Sequence, residues 1–283
     1  MNHVIFNGVD LTTLGLYVSG DKTFDSPEKN YTKVSIPGRS GDLYISDGSY
    51  KNVKLKYDSI LIEDFDNNAA NLRNFLLSQD GYVTLEDDYH PNEYRMAVYS
   101  GPMTFKPVRL LAGTTTLEFN CMPQRWLKSG AASRQLNSSS YVISNPTMNY
   151  AKPLFEIGPS ASNVVVTIKD SSDTTTSSFT ISVRDYTVYV DCETMDCYSV
   201  PVSESTTSSG GTISTGVWQD SSGYVHISPE NNPGINLPVD NRTSRNNLIT
   251  LGNYDFPVFK TGDTTIESSS YDLIKLTPRW FIL

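Results

Sequence analysis

The densest cluster of side chains able to do chemistry is Glu86-Asp87-Asp88-Tyr89-His90-Pro91-Asn92-Glu93. Carboxylates beside an imidazole are donors that hard or borderline cations accept. The spacing is not that of a calcium-binding loop, however, and Pro91-Asn92 marks a turn between two strands. The segment therefore reads as a solvated hairpin tip, and no metal ligands are assigned. The histidines His3, His90 and His226 lie far apart in three different contexts. A nucleophilic site needs one of them beside a serine or cysteine and an orienting acid. The chain contains no G-x-S-x-G elbow, no G-x-x-x-x-G-K-[ST] loop and no H-E-x-x-H helix. Ser209-Gly210-Gly211 is glycine-rich but matches no phosphate fingerprint, and reads as a flexible segment. Carboxylate pairs for glycoside hydrolysis meet only in three dimensions, so spacing along the chain neither identifies nor removes them. The expectation is a protein without catalytic residues, cofactor or metal.

Two further groups invite a binding role. Trp218, in Gly216-Val217-Trp218-Gln219, is the best single aromatic for stacking on a sugar ring; its competing reading is a core tryptophan. Cys192 and Cys197 flank a turn. With an odd total of 3 cysteines, they read as reduced thiols in a hairpin and not as a disulfide framework.

The elements that must position these residues are strands. The length of 283 residues suggests two domains. Tyrosine is the commonest aromatic, with 17 copies, and charged residues make up only 19%, a mix that suits half-buried sheet faces. No apolar run approaches the ~20 residues needed to span a bilayer. The opening Met1-Asn2-His3-Val4-Ile5-Phe6 lacks the pattern of a secretion signal, so synthesis and assembly in a cytoplasm are expected. The net charge is −9, with 8 basic against 15 acidic residues in 141–283. Such a balance does not grip a phosphate backbone, which needs clustered Lys and Arg, and it suits nucleic acid sliding past.

Val4-Ile5-Phe6 reads as a strand before an Asn7-Gly8 turn. Tyr31 to Pro37 and Leu43 to Ile45 read as a long hairpin tipped by Pro37-Gly38-Arg39-Ser40-Gly41, with Pro-Gly suited to a type II turn. Val53, Leu55 and Tyr57 alternate, whereas Ile60 and Ile62 fall on the other parity, which predicts a bulge. One helix is expected over Asn67 to Gln79, capped by Asp66 or Asn67, with Leu72, Phe75 and Leu76 on one face and Gly81 at its C-terminal cap. Tyr82 to Leu85, Tyr94 to Tyr99 and Thr115 to Cys121 are further strands. Beyond residue 140 the pattern is all strand: Val164 to Ile168, Phe179 to Val183, Tyr186 to Val190, Tyr198 to Val200, Tyr224 to Ile227, Leu248 to Leu251 and Leu273 to Thr277. Many short strands with regular turns point to a sandwich. Ser203 to Thr215 is low in complexity and reads as a loop.

Each half closes in a similar way. A turn expected at Gly113-Thr114 opens an alternation that ends in Pro123-Gln124-Arg125-Trp126, and Gly262-Asp263 opens one that ends in Pro278-Arg279-Trp280. Proline cannot donate to a ladder, so each closure predicts the end of a domain. Together with the polar, aperiodic stretch Lys128 to Ser140, this predicts a first domain over 1–130, a linker over 131–145 and a second domain over 146–283.

The ordered series resembles the distal tail proteins of bacteriophages with long, non-contractile tails, and of their prophages. The residues that carry the resemblance are the opening strand with Asn7-Gly8, the Pro37-Gly38-Arg39-Ser40-Gly41 hairpin and the single helix. Leu85 to Val98 with Asp87-Asp88 and Tyr94, and the closing Phe119 to Pro123, continue it. In the second half Val164 to Val190, Phe256-Pro257-x-Phe259-x-x-Gly262 and Pro278-Arg279-Trp280 complete it, so it spans nearly the whole chain. It implies a mainly β protein. An N-terminal β-sandwich-like domain would carry one helix and a protruding hairpin, and a C-terminal galectin-like sandwich would follow. It implies a non-enzymatic tail-tip hub in the virion, assembled as a hexameric ring. Partners would be the tail tube protein, the tape-measure protein, a tail-associated lysin or fibre protein and, in some phages, a receptor-binding protein. No specific nucleic-acid binding and no membrane insertion are expected. Pro37, Gly38, Arg39 and Gly41 become candidate interface residues, with Arg39 poised to meet an acid on a neighbour. The galactoside motifs of galectins are absent: His226 is followed by Ile227-Ser228-Pro229, and Trp218 by Gln219-Asp220-Ser221. The alternative function is a carbohydrate-binding module for the bacterial surface, using Trp218.

Overall fold

The computed structural model describes residues 2–19, 25–108, 112–200, 242–252 and 255–283, with the backbone alone at 217–219 and 225–227. The chain divides into two compact units, Met1–Arg125 with Leu283, and Trp126–Ile282.

The first unit contains β1 (Val4–Phe6), β2 (Val9–Asp10), β3 (Leu16–Val18), β4 (Lys29–Val34), β5 (Leu43–Tyr50), β6 (Val53–Ile62), α1 (Phe65–Leu77), β7 (Val83–Asp87), β8 (Glu93–Val98), β9 (Lys106–Val108) and all but the last two residues of β10 (Ala112–Leu127). Its sheet runs β2-β1-β7-β8-β10-β6-β3. A bridge between Asn2 and Val18 links the residue ahead of β1 to β3, so one curled sheet does the work of a sandwich. Inside lie Phe6, Leu55, Leu61, Leu85, Leu117 and Phe119, with Leu72 and Leu76 of α1. Phe6 meets Phe119 at 5.0 Å and Phe75 edge-on at 6.3 Å, which seats the helix on the sheet.

Several expectations change here. The parity of β6 is unbroken and no bulge forms: Ser59 takes the buried position where the apolar pattern lapses, its hydroxyl donating to Tyr57 O at 3.1 Å. A short hydroxyl that bonds its own strand can stand in for an apolar side chain there. The helix starts two residues before the expected Asn67, because Phe65 packs edge-on against Phe105 at 5.5 Å. Its N-cap is Asp64 in left-handed geometry without a side-chain cap bond, and its C-cap is Ser78 in place of Gly81. Gly113 makes no turn. It lies inside β10 opposite Leu61, where a Cβ would sit 2.3 Å from the Phe65 ring. Nor does Pro123 end its strand. The β10–β6 ladder stops at Cys121↔Val53, so a proline two residues further on removes no bond from that ladder.

The second unit adds α2 (Lys128–Ala131), β11 (Arg134–Gln135), β12 (Ser140–Asn145), β13 (Leu154–Ile157), β14 (Val164–Lys169), β15 (Thr175–Ile181), β16 (Val188–Asp191), β17 (Asp196–Ser199), β18 (Val217–Gln219), β19 (Val225–Ile227), β20 (Thr243–Ser244), β21 (Ile249–Leu251), β22 (Gly262–Glu267), β23 (Ile274–Thr277) and β24 (Phe281–Ile282). A six-stranded sheet, β11-β23-β13-β16-β17-β20, packs on a five-stranded one, β12-β22-β14-β15-β21. Phe155 of the first meets Phe179 of the second at 5.3 Å, and Val164, Val166, Ile168, Val188, Val190, Ile266 and Leu276 fill the space around them. The protein is mainly β, with α2 as a four-residue addition to the single helix expected.

The expected linker over 131–145 is structured. It holds β11 and β12, and Leu136 is buried in the sandwich core. Polar composition hid this because an edge strand buries only alternate residues. Trp126 belongs to the second unit and not to the end of the first: its ring lies 5.3 Å from Phe281, and Leu127 N–H donates to Trp280 O at 2.9 Å. The Pro278 closure does end its strand. Trp280 is buried against Phe259, and Arg279, at φ 60°, turns inward to a bidentate pair with Asp191 at 2.6 and 3.1 Å.

Candidate assembly surface

The acidic segment at 86–93 is committed to folding. Asp87 accepts from Tyr57 Oη at 2.6 Å and from His90 N at 2.8 Å, and Asp88 accepts from His3 N at 2.8 Å. Arg125 lies 3.4 Å from Glu93. Among the described residues no group of three or more His, Cys, Asp or Glu side chains could hold a metal ion. His3 pairs with Asp10 at 2.8 Å, a hydrogen bond that raises its pKa, while His90 Nδ1 lies 3.3 Å from Asp87. Cys121, Cys192 and Cys197 are free and buried, and burial pushes the Cys197 thiol up to about 12. Trp218 lies in β18 with its backbone paired to His226; its side chain falls outside the described residues, as does Ser203 to Thr215.

What the structure does present is the β4–β5 hairpin. Thr32 pairs with Ile45, Lys33 with Tyr44 and Val34 with Leu43, and the two strands join no other sheet among the described residues. At the tip Arg39 N–H donates to Ile36 O at 3.1 Å with Gly38 at φ 82°, the expected type II turn. Gly41 also has positive φ, and a Cβ at either glycine would meet nothing within 4 Å. The Arg39 side chain has no ion-pair partner among the described residues.

Strand alternation gives the hairpin two unlike faces. One carries Tyr31, Lys33 and Tyr44: the two rings meet edge-on at 5.6 Å, and the Lys33 ammonium lies 5.2 Å from the Tyr44 ring centre. The other carries Val34, Leu43 and Ile45, with Ile36 following at the turn. Ile45 is 51% exposed, and the rest of that row is also open to solvent. A lone two-stranded hairpin is marginal in water, and contiguous exposed apolar side chains usually mark a contact surface. Among the described residues the salt bridges on it are Lys33–Asp42 at 3.9 Å and Lys51–Glu28 at 3.0 Å, which are exposed and contribute little. The sequence revealed the turn but not this face, since Val34, Leu43 and Ile45 are as compatible with a core strand.

Solved structures give this architecture a precedent. The SPP1 Dit protein, described as a paradigm of the hub adsorption apparatus in Gram-positive infecting phages, superposes with a TM-score of 0.64 at 14% identity, covering 100% of both chains. The fold is that of a phage adsorption hub. A chain of the phage P2 baseplate in its activated conformation with Ca matches at TM-score 0.53 and 8% identity, over 99% of this chain and 98% of that one. No protein-family model and no curated protein matches the sequence. The fold is thus shared with chains at 14% and 8% identity.

Proposed function

We propose that this chain is a structural hub of a bacteriophage tail tip, without catalytic activity, that assembles as a ring of six subunits. The observation that carries this is the unpaired hairpin, with its aliphatic row Val34, Ile36, Leu43 and Ile45 exposed on a chain of hub fold. A closed ring needs two different complementary patches per subunit, and a protruding hairpin that docks on its neighbour supplies one of them. Pro37 and Gly38 set the turn, Gly41 returns the chain to β5, and Arg39 is placed to pair with a neighbour's carboxylate.

In this reading the ring joins the tail tube and tape-measure proteins above to the lysin or fibre protein below, with a receptor-binding protein as a further partner in some phages. It resides in the virion tail and forms in the host cytoplasm. The −9 net charge suits a passage that DNA must cross without sticking. Electron micrographs of the purified full chain test this directly. Particles with six-fold symmetry and a central hole are expected. A monomer at high concentration that also ignores its tube and lysin partners would overturn it.

A further inference from the structure

Sheet edges are templates for pairing with another chain, and proteins blunt them by shortness, charge, proline or bulges. Of the four edges of the two sandwich sheets, three are blunt. β11 and β20 have two residues each, and β21 has three. The fourth edge, β12, is six residues long, Ser140-Tyr141-Val142-Ile143-Ser144-Asn145. It has no charge, no proline and no register shift against β22. Among the described residues no strand pairs with its outer side. Val142 on its outer face is 58% exposed, and the turn that follows exposes Met148 at 92%.

We infer that β12 pairs antiparallel with β12 of a second copy of this chain, joining two five-stranded sheets into one. The strand is self-complementary about Val142. With Val142 opposite Val142 of the second copy, Tyr141 faces Ile143 of that copy and Ser140 faces Ser144. Each pair then points to the same side of the joined sheet, as antiparallel pairing requires. The inner side, where Ile143 is buried and Tyr141 half-buried, continues from one sandwich core to the other. The outer side brings two valines together between serines, with no like charges opposed. This contact is two-fold. It cannot close a ring, which needs unlike patches, and so it is independent of the hairpin: it joins two free chains, or two rings face to face.

The test uses the full chain carrying Val34→Lys and Ile45→Lys, so that a hairpin-built assembly does not mask the result. Sedimentation at rising concentration is expected to show a monomer–dimer equilibrium. Adding Val142→Lys sets two ammonium groups opposite each other and is expected to raise the dimer dissociation constant roughly tenfold or more. The register is read by cross-linking under mild oxidation. Val142→Cys is expected to give a covalent dimer, whereas Val165→Cys, exposed on the same sheet but two strands away, is not. A monomer at every concentration, a dimer untouched by Val142→Lys, or equal cross-linking at 142 and 165 would overturn the inference. None of these outcomes bears on the ring, which is read from the chain with its hairpin intact.

Discussion

Ile45→Lys is the sharpest perturbation of the hairpin. In the isolated chain Ile45 is 51% exposed, so about half its surface remains to be covered by a neighbour. Full burial of an isoleucine side chain contributes ~1.5–3 kcal/mol, so the uncovered half stands to contribute about 1 kcal/mol per contact. A lysine there loses that term, and desolvating its ammonium costs at least about 1 kcal/mol more. Each subunit contact is then weakened by about 2 kcal/mol, roughly 30-fold in its equilibrium constant. A closed ring repeats the loss at every contact, so assembly should collapse at concentrations where the unchanged chain forms rings. The assay is mass photometry or light scattering behind a sizing column. Thermal stability of the single chain should barely move, because a half-exposed site on a hairpin that joins no other sheet among the described residues holds little of the core. Val165→Lys, 46% exposed in the second unit, is the matched control and should leave the rings intact. Rings that persist with Ile45→Lys would refute the assembly role. A melting temperature lowered by more than a few degrees would show that the hairpin packs on its own chain.

Arg279→Met should destabilise the second unit by about 3–5 kcal/mol, or roughly 10–15 °C in melting temperature, because it strands the buried Asp191 carboxylate. The Arg279 guanidinium and the turn amides of Glu193 and Thr194 favour charged Asp191 and outweigh its burial, which alone would raise the pKa; the net result lies below 3.8. The contribution of this group is therefore present above pH ~4 and lost as pH falls through the depressed folded value, which an acid melting series on the unchanged chain should show and Asp191→Asn should flatten. Gly113→Ala should cost about 1–3 kcal/mol by driving a methyl into the Phe65 ring, read as a shift in the urea midpoint. Burial raises the thiols of Cys121 and Cys197 to about 12, so both should resist alkylation at pH 8 until the chain unfolds.

Local pattern carried much of the architecture. Alternation at Val53–Tyr57, Leu117–Cys121 and Val164–Ile168 became strands with those residues buried, because a half-buried strand shows its period of two in sequence. The Pro37-Gly38 turn was legible because only glycine adopts that positive φ without strain. Other readings failed where neighbours distant in sequence decide. Ser59 holds a core position that its type does not announce. Pro123 removes no bond from the β6 ladder, which has already ended at Cys121 opposite Val53. β11 and β12 looked like a linker because edge strands bury few residues. The candidate site was half legible: the tip residues stood out, while the exposed row behind them did not.

By itself the sequence determined that the protein is mainly β, with one long helix covering the expected Asn67 to Leu77. Short-range steric and hydrophobic periodicity suffices for that. Only the tertiary structure decided that Arg279 is buried against Asp191, that Trp126 packs with Phe281, and that β4, β5 and β12 have edges or faces uncovered among the described residues. Exposure is a property of what packs against a residue, and that is set by chain segments tens to hundreds of positions away.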